Sequence, residues 1–142
     1  TCALPIWIVA SAYDYMHPTA VALSTVAGGD ALRPLSPVNA SAKRSASGVS
    51  FLFIRRARIN ADIWDVAEIP LDEGSERYEL DILKKGSVVR TISVAGAPSV
   101  FYPSSLELAD FGTPQSSLAL RLYQLSDAVG RGAALDVTVP VT

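Results

Sequence analysis

Asn60 to Glu68, NADIWDVAE, sets three carboxylates, Asp62, Asp65 and Glu68, around one tryptophan, Trp64. Two carboxyl groups beside an aromatic ring are what glycoside hydrolysis uses. One protonates the leaving oxygen while the other attacks or activates water, and the two must stand about 5 Å or about 7–9 Å apart across a cleft. A loop on a small domain seldom builds such a cleft, so these residues read first as solvated loop carboxylates, second as a saccharide contact and last as a catalytic pair. His17 is the single histidine. Without a second histidine or a cysteine beside it there is no metal set, and no nucleophile-elbow pattern offers it a serine partner. His17 therefore reads as a surface residue. Asp72 to Glu76, DEGSE, lacks the ladder of oxygen ligands that a calcium loop requires and reads as a turn. Asp110 to Gly112, DFG, has no catalytic loop or glycine-rich strand around it, so its kinase meaning does not apply. Its expected use is a turn in which Asp110 caps locally, Phe111 plugs the end of the fold and Gly112 takes a conformation closed to side chains.

Just upstream, FLFIRRARINADIW places Arg55, Arg56 and Arg58 after a bulky apolar run. A nucleic-acid patch is one meaning of such a cluster, but Lys+Arg number 12 against 14 Asp+Glu over 142 residues and the pI is near 5.3, so the chain has no basic footprint. The remaining meanings are a strand with a basic end and a surface contact. On the first, Arg56 and Arg58 share the outer face with Ile54, laying their stems over apolar surface or pairing with Asp62, Asp65 and Glu68.

These residues need a frame, and 49% apolar content supplies enough material for one core. No apolar run approaches the roughly 20 residues of a membrane-spanning helix; the longest, Ile6 to Ala12, is far shorter. The N-terminal stretch lacks the basic segment of a signal peptide. Cys2 is the only cysteine, so neither an intrachain disulfide nor a cysteine zinc site is available. The opening TCALPI coincides with the translated end of a common sequencing adapter, and Thr1 to Ile6 are left out of the fold reasoning.

Ala20 to Val26 is β-prone, and Pro34 and Pro37 predict an extended connector, so residues 1–36 read as the remnant of an upstream domain plus a linker. From Pro37 on, short alternating runs separated by turn signals predict an all-β antiparallel sandwich of about seven strands over residues 37–142. Val38 to Arg44 is the first. Val49 to Arg56 is the second, with Val49, Phe51 and Phe53 inward. A third runs through Tyr78, Leu80 and Ile82 with Glu79 and Asp81 outward, and KKGS turns it into VVRTISV, where Gly86 supplies a positive φ. Val100 to Tyr102, Ser117 to Ser126 and Leu135 to Val139 complete the set. In the penultimate strand Leu118, Leu120, Leu122 and Gln124 face inward, so the Gln124 amide needs backbone partners, while Arg121 and Tyr123 face out. In PSSLELADFG, Ser104 can cap one helical turn with Glu107 three residues on, as the alternative to an irregular turn.

The run LALRLYQLSDAVGRG resembles the penultimate strand and following turn of fibronectin type III domains. ALRPLSPV, IRRARINADIWDVAEIPLDEGSERYELDIL, VVRTISV, ADFG and YQLSDAVGRGA, in that order from about Ala31 to the end, resemble the C-terminal domain of the host specificity proteins of phage and gene transfer agent tail baseplates. Members of that family carry a glycosidase-like TIM barrel far upstream. Two positions depart from the pattern: Phe53 stands where a tryptophan usually precedes the arginine pair, and Leu118 stands where many fibronectin-type domains have a tyrosine, so the tyrosine-corner hydrogen bond should be absent.

The resemblance implies a non-catalytic structural or adhesion module at a virion tail tip or baseplate, made in the bacterial cytoplasm, with no cofactor. Its partners would be neighbouring tail proteins and host cell-surface glycan, with no nucleic acid and no membrane insertion. A different expectation is a glycan-binding or spacer module of a secreted polysaccharide-degrading enzyme, with Trp64 and Tyr123 as stacking platforms and Arg56 or Arg58 as polar partners.

Overall fold

The computed structural model describes residues 3–8, 18, 21–26, 29–59 and 68–142. The chain divides into two compact units, Thr1–Ala31 and Leu32–Thr142. In the first, β1 (Ala3–Ile8) and β2 (Val21–Val26) pair antiparallel, with Ala3 opposite Val26 and Ile8 opposite Val21. The expected strand is present but not alone. Its partner strand begins within the adapter-like Thr1 to Ile6 stretch and continues through Trp7 and Ile8.

The second unit is the antiparallel β-sandwich, immunoglobulin-like and fibronectin type III-like in its strand order. Three strands form one sheet in the order β3-β4-β7: β3 (Val38–Ser45), β4 (Gly48–Ile54) and β7 (Ser99–Pro103). The other has the order β10-β8-β5-β6: β5 (Arg77–Lys84), β6 (Ser87–Ala95), β8 (Ser117–Ser126) and β10 (Leu135–Pro140). The two-residue β9 (Gly130–Arg131) hangs on the end of β8. The chain crosses between sheets after β4, β6 and β7, the Greek-key habit of such sandwiches.

Alternation decides what goes inside. Val49, Phe51 and Phe53 of β4, Tyr78, Leu80 and Ile82 of β5, and Leu118, Leu120 and Leu122 of β8 are all buried and meet Val100, Tyr102 and Val139 in one core. Register explains the fit: Leu80 stands opposite Leu122 on one side and Ile92 on the other, so a single phase aligns three strands. Phe53 supplies an apolar plug, lying edge-on to Tyr78 at 4.8 Å between ring centres. Between β5 and β6, Lys85 at φ 53° and Gly86 at φ 83° give the two left-handed residues of a tight hairpin.

The stretch after β7 is neither the irregular turn expected nor the single helical turn that stood as its alternative, but a two-turn helix, α1 (Ser104–Phe111). Pro103 is its N-cap, so Ser104 is the first helical residue and makes no cap bond. Gly112, at φ 82°, ends the helix in the left-handed conformation with its N–H donating to Leu108 O. The connector from Leu32 to Pro37 belongs to the sandwich unit. Ala133 N–H donates to the carbonyl of Pro34 at 2.9 Å, and a Cβ on Gly132 would lie 2.7 Å from that carbonyl oxygen. Only glycine permits so close an approach.

Candidate functional site

The arginine cluster serves the loop it opens. Arg55 extends from the end of β4 and donates to the carbonyl of Ile69 and to Glu76 at 3.0 Å. Glu76 also accepts from the buried Tyr78 hydroxyl at 2.7 Å, and burial followed by that carboxylate raises the phenol pKa. The Asp72 carboxylate accepts from the backbone N–H groups of Arg58 and Ile59, and Glu73 lies 3.5 Å from the Arg58 guanidinium. The carboxylates expected to pair with Arg56 and Arg58 include Asp62 and Asp65, which lie outside the described residues; among the described residues Arg55 meets Glu76 and Arg58 meets Glu73. The DEGSE turn is thus a counter-ion strip that pins the beginning of the β4–β5 loop to its end. Arg56 is exposed and borders an open groove of about 330 Å³ with Leu35, Ala57, Ile69 and Pro70. Trp64, Asp62 and Asp65 lie outside the described residues, as does His17.

Tyr123 stands elsewhere, on the outer face of β8. Register sets Glu79 opposite Tyr123 and Ser93, and Asp81 opposite Arg121 and Thr91. Arg131 reaches over this face from β9. Its guanidinium lies 4.4 Å from the centre of the Tyr123 ring, donates to Glu79 at 2.6 Å and grips Asp81 at 2.7 and 3.1 Å. Those bonds, the Asp81 one foremost, hold Arg131 more firmly protonated. Arg121 pairs with Asp136 of β10 at 2.8 Å. Asp81 does point outward, as its phase requires, yet it is buried to 3% exposure under Arg131 and beside Thr91. One side of the Tyr123 ring, the stacking platform anticipated for a sugar, is covered by a cation.

A third polar assembly had no place in the sequence reading. Arg44 and Arg90 both sit in inward phase, one at an end of β3 and the other on β6, where an arginine needs an anion. The helix supplies both. Glu107, 1% exposed, takes two hydrogen bonds from Arg44 at 2.8 and 2.9 Å and a third from Gln115 N–H, while Arg44 also donates to Gln115 O. Three residues later, on the same helix face, Asp110 takes two from Arg90 at 2.6 and 2.8 Å and one from the Tyr102 hydroxyl at 2.7 Å. Arg44 holds the Glu107 carboxyl below its usual range, and Arg90 does the same for Asp110, against burial in both cases. Burial, then the Asp110 bond, raises the Tyr102 phenol. Asp110 is therefore no local cap: α1 is an ionic staple, one carboxylate into each sheet. Phe111 packs half-buried against the core, as expected, with Lys84 over its ring at 5.5 Å.

Gln124 faces the core as its phase predicts, at 3% exposure. Its side-chain oxygen, however, is buried without a hydrogen-bond partner, so it does not pin a loop. The pinning is done by its main chain, whose carbonyl accepts from Gly132 N–H at 2.8 Å. Leu118, 1% exposed, fills the position where the tyrosine corner would begin.

No family model and no curated protein matches the chain. Among solved structures it is similar to the rat CD45 extracellular region, domains d3-d4, at 12% identity and a TM-score of 0.49, over 95% of this chain and 62% of that one.

Proposed function

We propose that the chain is a non-catalytic structural and adhesion module of a phage or gene transfer agent tail-tip or baseplate protein, of the host specificity type. The observation that carries the non-catalytic half is how the molecule uses its charge. Glu76, Glu79, Asp81, Glu107 and Asp110 each close on an arginine and join strands, loops or helix within the sandwich. A carboxylate so engaged is a brace, since general acid or base work needs a group free to exchange its proton with a substrate. The virion half rests on the ordered motifs from Ala31 onward, which resemble those of baseplate proteins.

The reading frame and its neighbours test this directly. Sequencing outward from the gene should meet tail-assembly genes on either side. A cleavable signal followed by a polysaccharide hydrolase domain would overturn it in favour of a secreted enzyme's accessory module. That second reading has one observation on its side, the groove beside the exposed Arg56. A glycan array probed with the chain and with Arg56→Ala measures it: binding that the substitution abolishes supports a glycan site there, and equal signals from both remove it.

A further inference from the structure

The four-stranded sheet ends at β6, and among the described residues of the sandwich unit none pairs with that strand's outer side. The other edge is different. β10 leads into the C-terminal residues, where Val141 bridges Ala42 and Thr142 exchanges hydrogen bonds with Ala42 and Arg44 of β3. One border of the sandwich is thereby closed by backbone, and the β6 border stands open among the described residues.

Its backbone directions follow from two observations. Gly96 N–H donates to Glu76 O, and the β5–β6 register continues that pairing as Val94 with Tyr78, Ile92 with Leu80 and Arg90 with Ile82. Antiparallel ladders alternate, so these even-numbered residues turn their N–H and C=O toward β5. Thr91, Ser93 and Ala95 turn theirs outward. Natural edges of this kind are guarded by lysine, proline, an inward charge or a bulge. The register shift opposite Ile82 and Leu83 disrupts only the start of β6. From Thr91 to Ala95 the strand reads TISVA, with no charge and no proline. The preceding Arg90 is committed to Asp110.

We infer that this edge pairs with the same edge of a second copy, antiparallel about a two-fold axis through Ser93. That register makes Ser93 face Ser93 of the second copy and Thr91 face Ala95, all outward-bonding residues, so the free groups of one edge meet those of the other in six hydrogen bonds. On the inner side Ile92 faces Val94, extending the apolar layer. On the outer side only the small residues Thr91, Ser93 and Ala95 meet. Arg90 falls opposite Gly96, so the two copies bring no like charges together. Self-complementarity of shape, bonding and charge is what selects a second copy over a foreign peptide. The result is one eight-stranded sheet spanning two sandwiches.

Sedimentation of the whole chain across a wide concentration range should show a monomer–dimer equilibrium. Ser93→Pro removes an N–H that its own sheet does not use, and should weaken the dimer on the order of tenfold or more while leaving the far-ultraviolet circular dichroism unchanged. In a Cys2→Ser background, Ser93→Cys should form an intermolecular disulfide on mild oxidation, since hydrogen-bonded cross-strand pairs bring Cα atoms to about 5.5 Å. Thr91→Cys should not, because the two copies of residue 91 would lie about 13 Å apart, four residues of strand rise. A chain that stays monomeric throughout, including one that captures an extended peptide instead, overturns the inference. So does a dimer indifferent to Ser93→Pro, or cross-linking at residue 91 equal to that at 93. If Ser93→Pro fails to fold, the pair of cysteine variants decides alone.

Discussion

Arg44 and Gln124 are opposite cases of a polar residue in core phase. Arg44 is answered on every side, and Glu107 beneath it depends on that answer: with the guanidinium gone, a carboxylate at 1% exposure keeps only the Gln115 N–H. Breaking a buried pair from one side leaves an uncompensated charge, so Arg44→Ala should cost about 3 kcal/mol by urea denaturation. Arg44→Met combined with Glu107→Gln should recover part of that loss, because no charge is then stranded; equal losses for single and double variants would show that the pair contributes only as packing. Gln124 is unanswered at its side-chain oxygen. Gln124→Leu keeps the volume and removes a polar atom with no partner, so the unfolding free energy measured in urea should rise by about 1 kcal/mol. A fall would reveal a partner for that oxygen. The phase of Gln124 was legible in LALRLYQLS, because alternation needs only neighbours. The partners of Arg44 were not, since Glu107 is 63 residues away and nothing in local spacing encodes such a pairing. The visible signal was the arginine itself, falling in phase with Ala42 where an apolar residue belongs.

At the scale of elements, α1 was the hardest piece to foresee. Its eight residues are too few to be stable as an isolated helix, and its apolar face is weak, so propensity and periodicity say little. What holds it is the pair of carboxylates three residues apart, each met by an arginine from a different sheet. That dependence gives it a pH signature. Glu107 and Asp110 titrate in the folded state below their ordinary values of 4.5 and 3.8. The unfolded chain therefore takes up protons first. The stability these groups contribute is fully present above about pH 4.5, declines below it, and is lost as pH falls through the depressed folded values. Urea midpoints followed from about pH 6 to about pH 2 should fall in that window, and hydrogen exchange should show α1 losing protection ahead of β5 and β8. Glu107→Gln with Asp110→Asn should flatten this part of the profile. An unchanged acid slope in the double variant would show that these two carboxylates do not carry it. Strands and hairpins, by contrast, were legible in period-2 alternation and turn residues, because both are local rules.

For the whole molecule, the question is where the sandwich begins. Composition placed the start at Pro37, since a proline-spaced run reads as linker. The fold draws the preceding residues into the second unit through a contact composition cannot show: Pro34 O accepts from Ala133 N–H, and Gly132 makes room for it. Two strands alone are marginal in water, whereas the sandwich has a continuous core. Limited proteolysis with a broad-specificity enzyme should therefore remove the N-terminal unit and leave a fragment reaching the C-terminal end. The intact mass of that fragment should place its first residue ahead of Pro34. In Gly132→Ala the added methyl would lie 2.7 Å from the Pro34 oxygen and 2.9 Å from the Gln124 oxygen, both backbone atoms, so the strand or the connector must shift. Overpacking of this kind costs about 1–3 kcal/mol. The variant's resistant fragment should accordingly begin nearer Val38, with the connector digested. A wild-type fragment that already begins at or beyond Pro37 would show that the latch on Pro34 contributes nothing, and that the composition-based boundary describes the molecule better than the contact does.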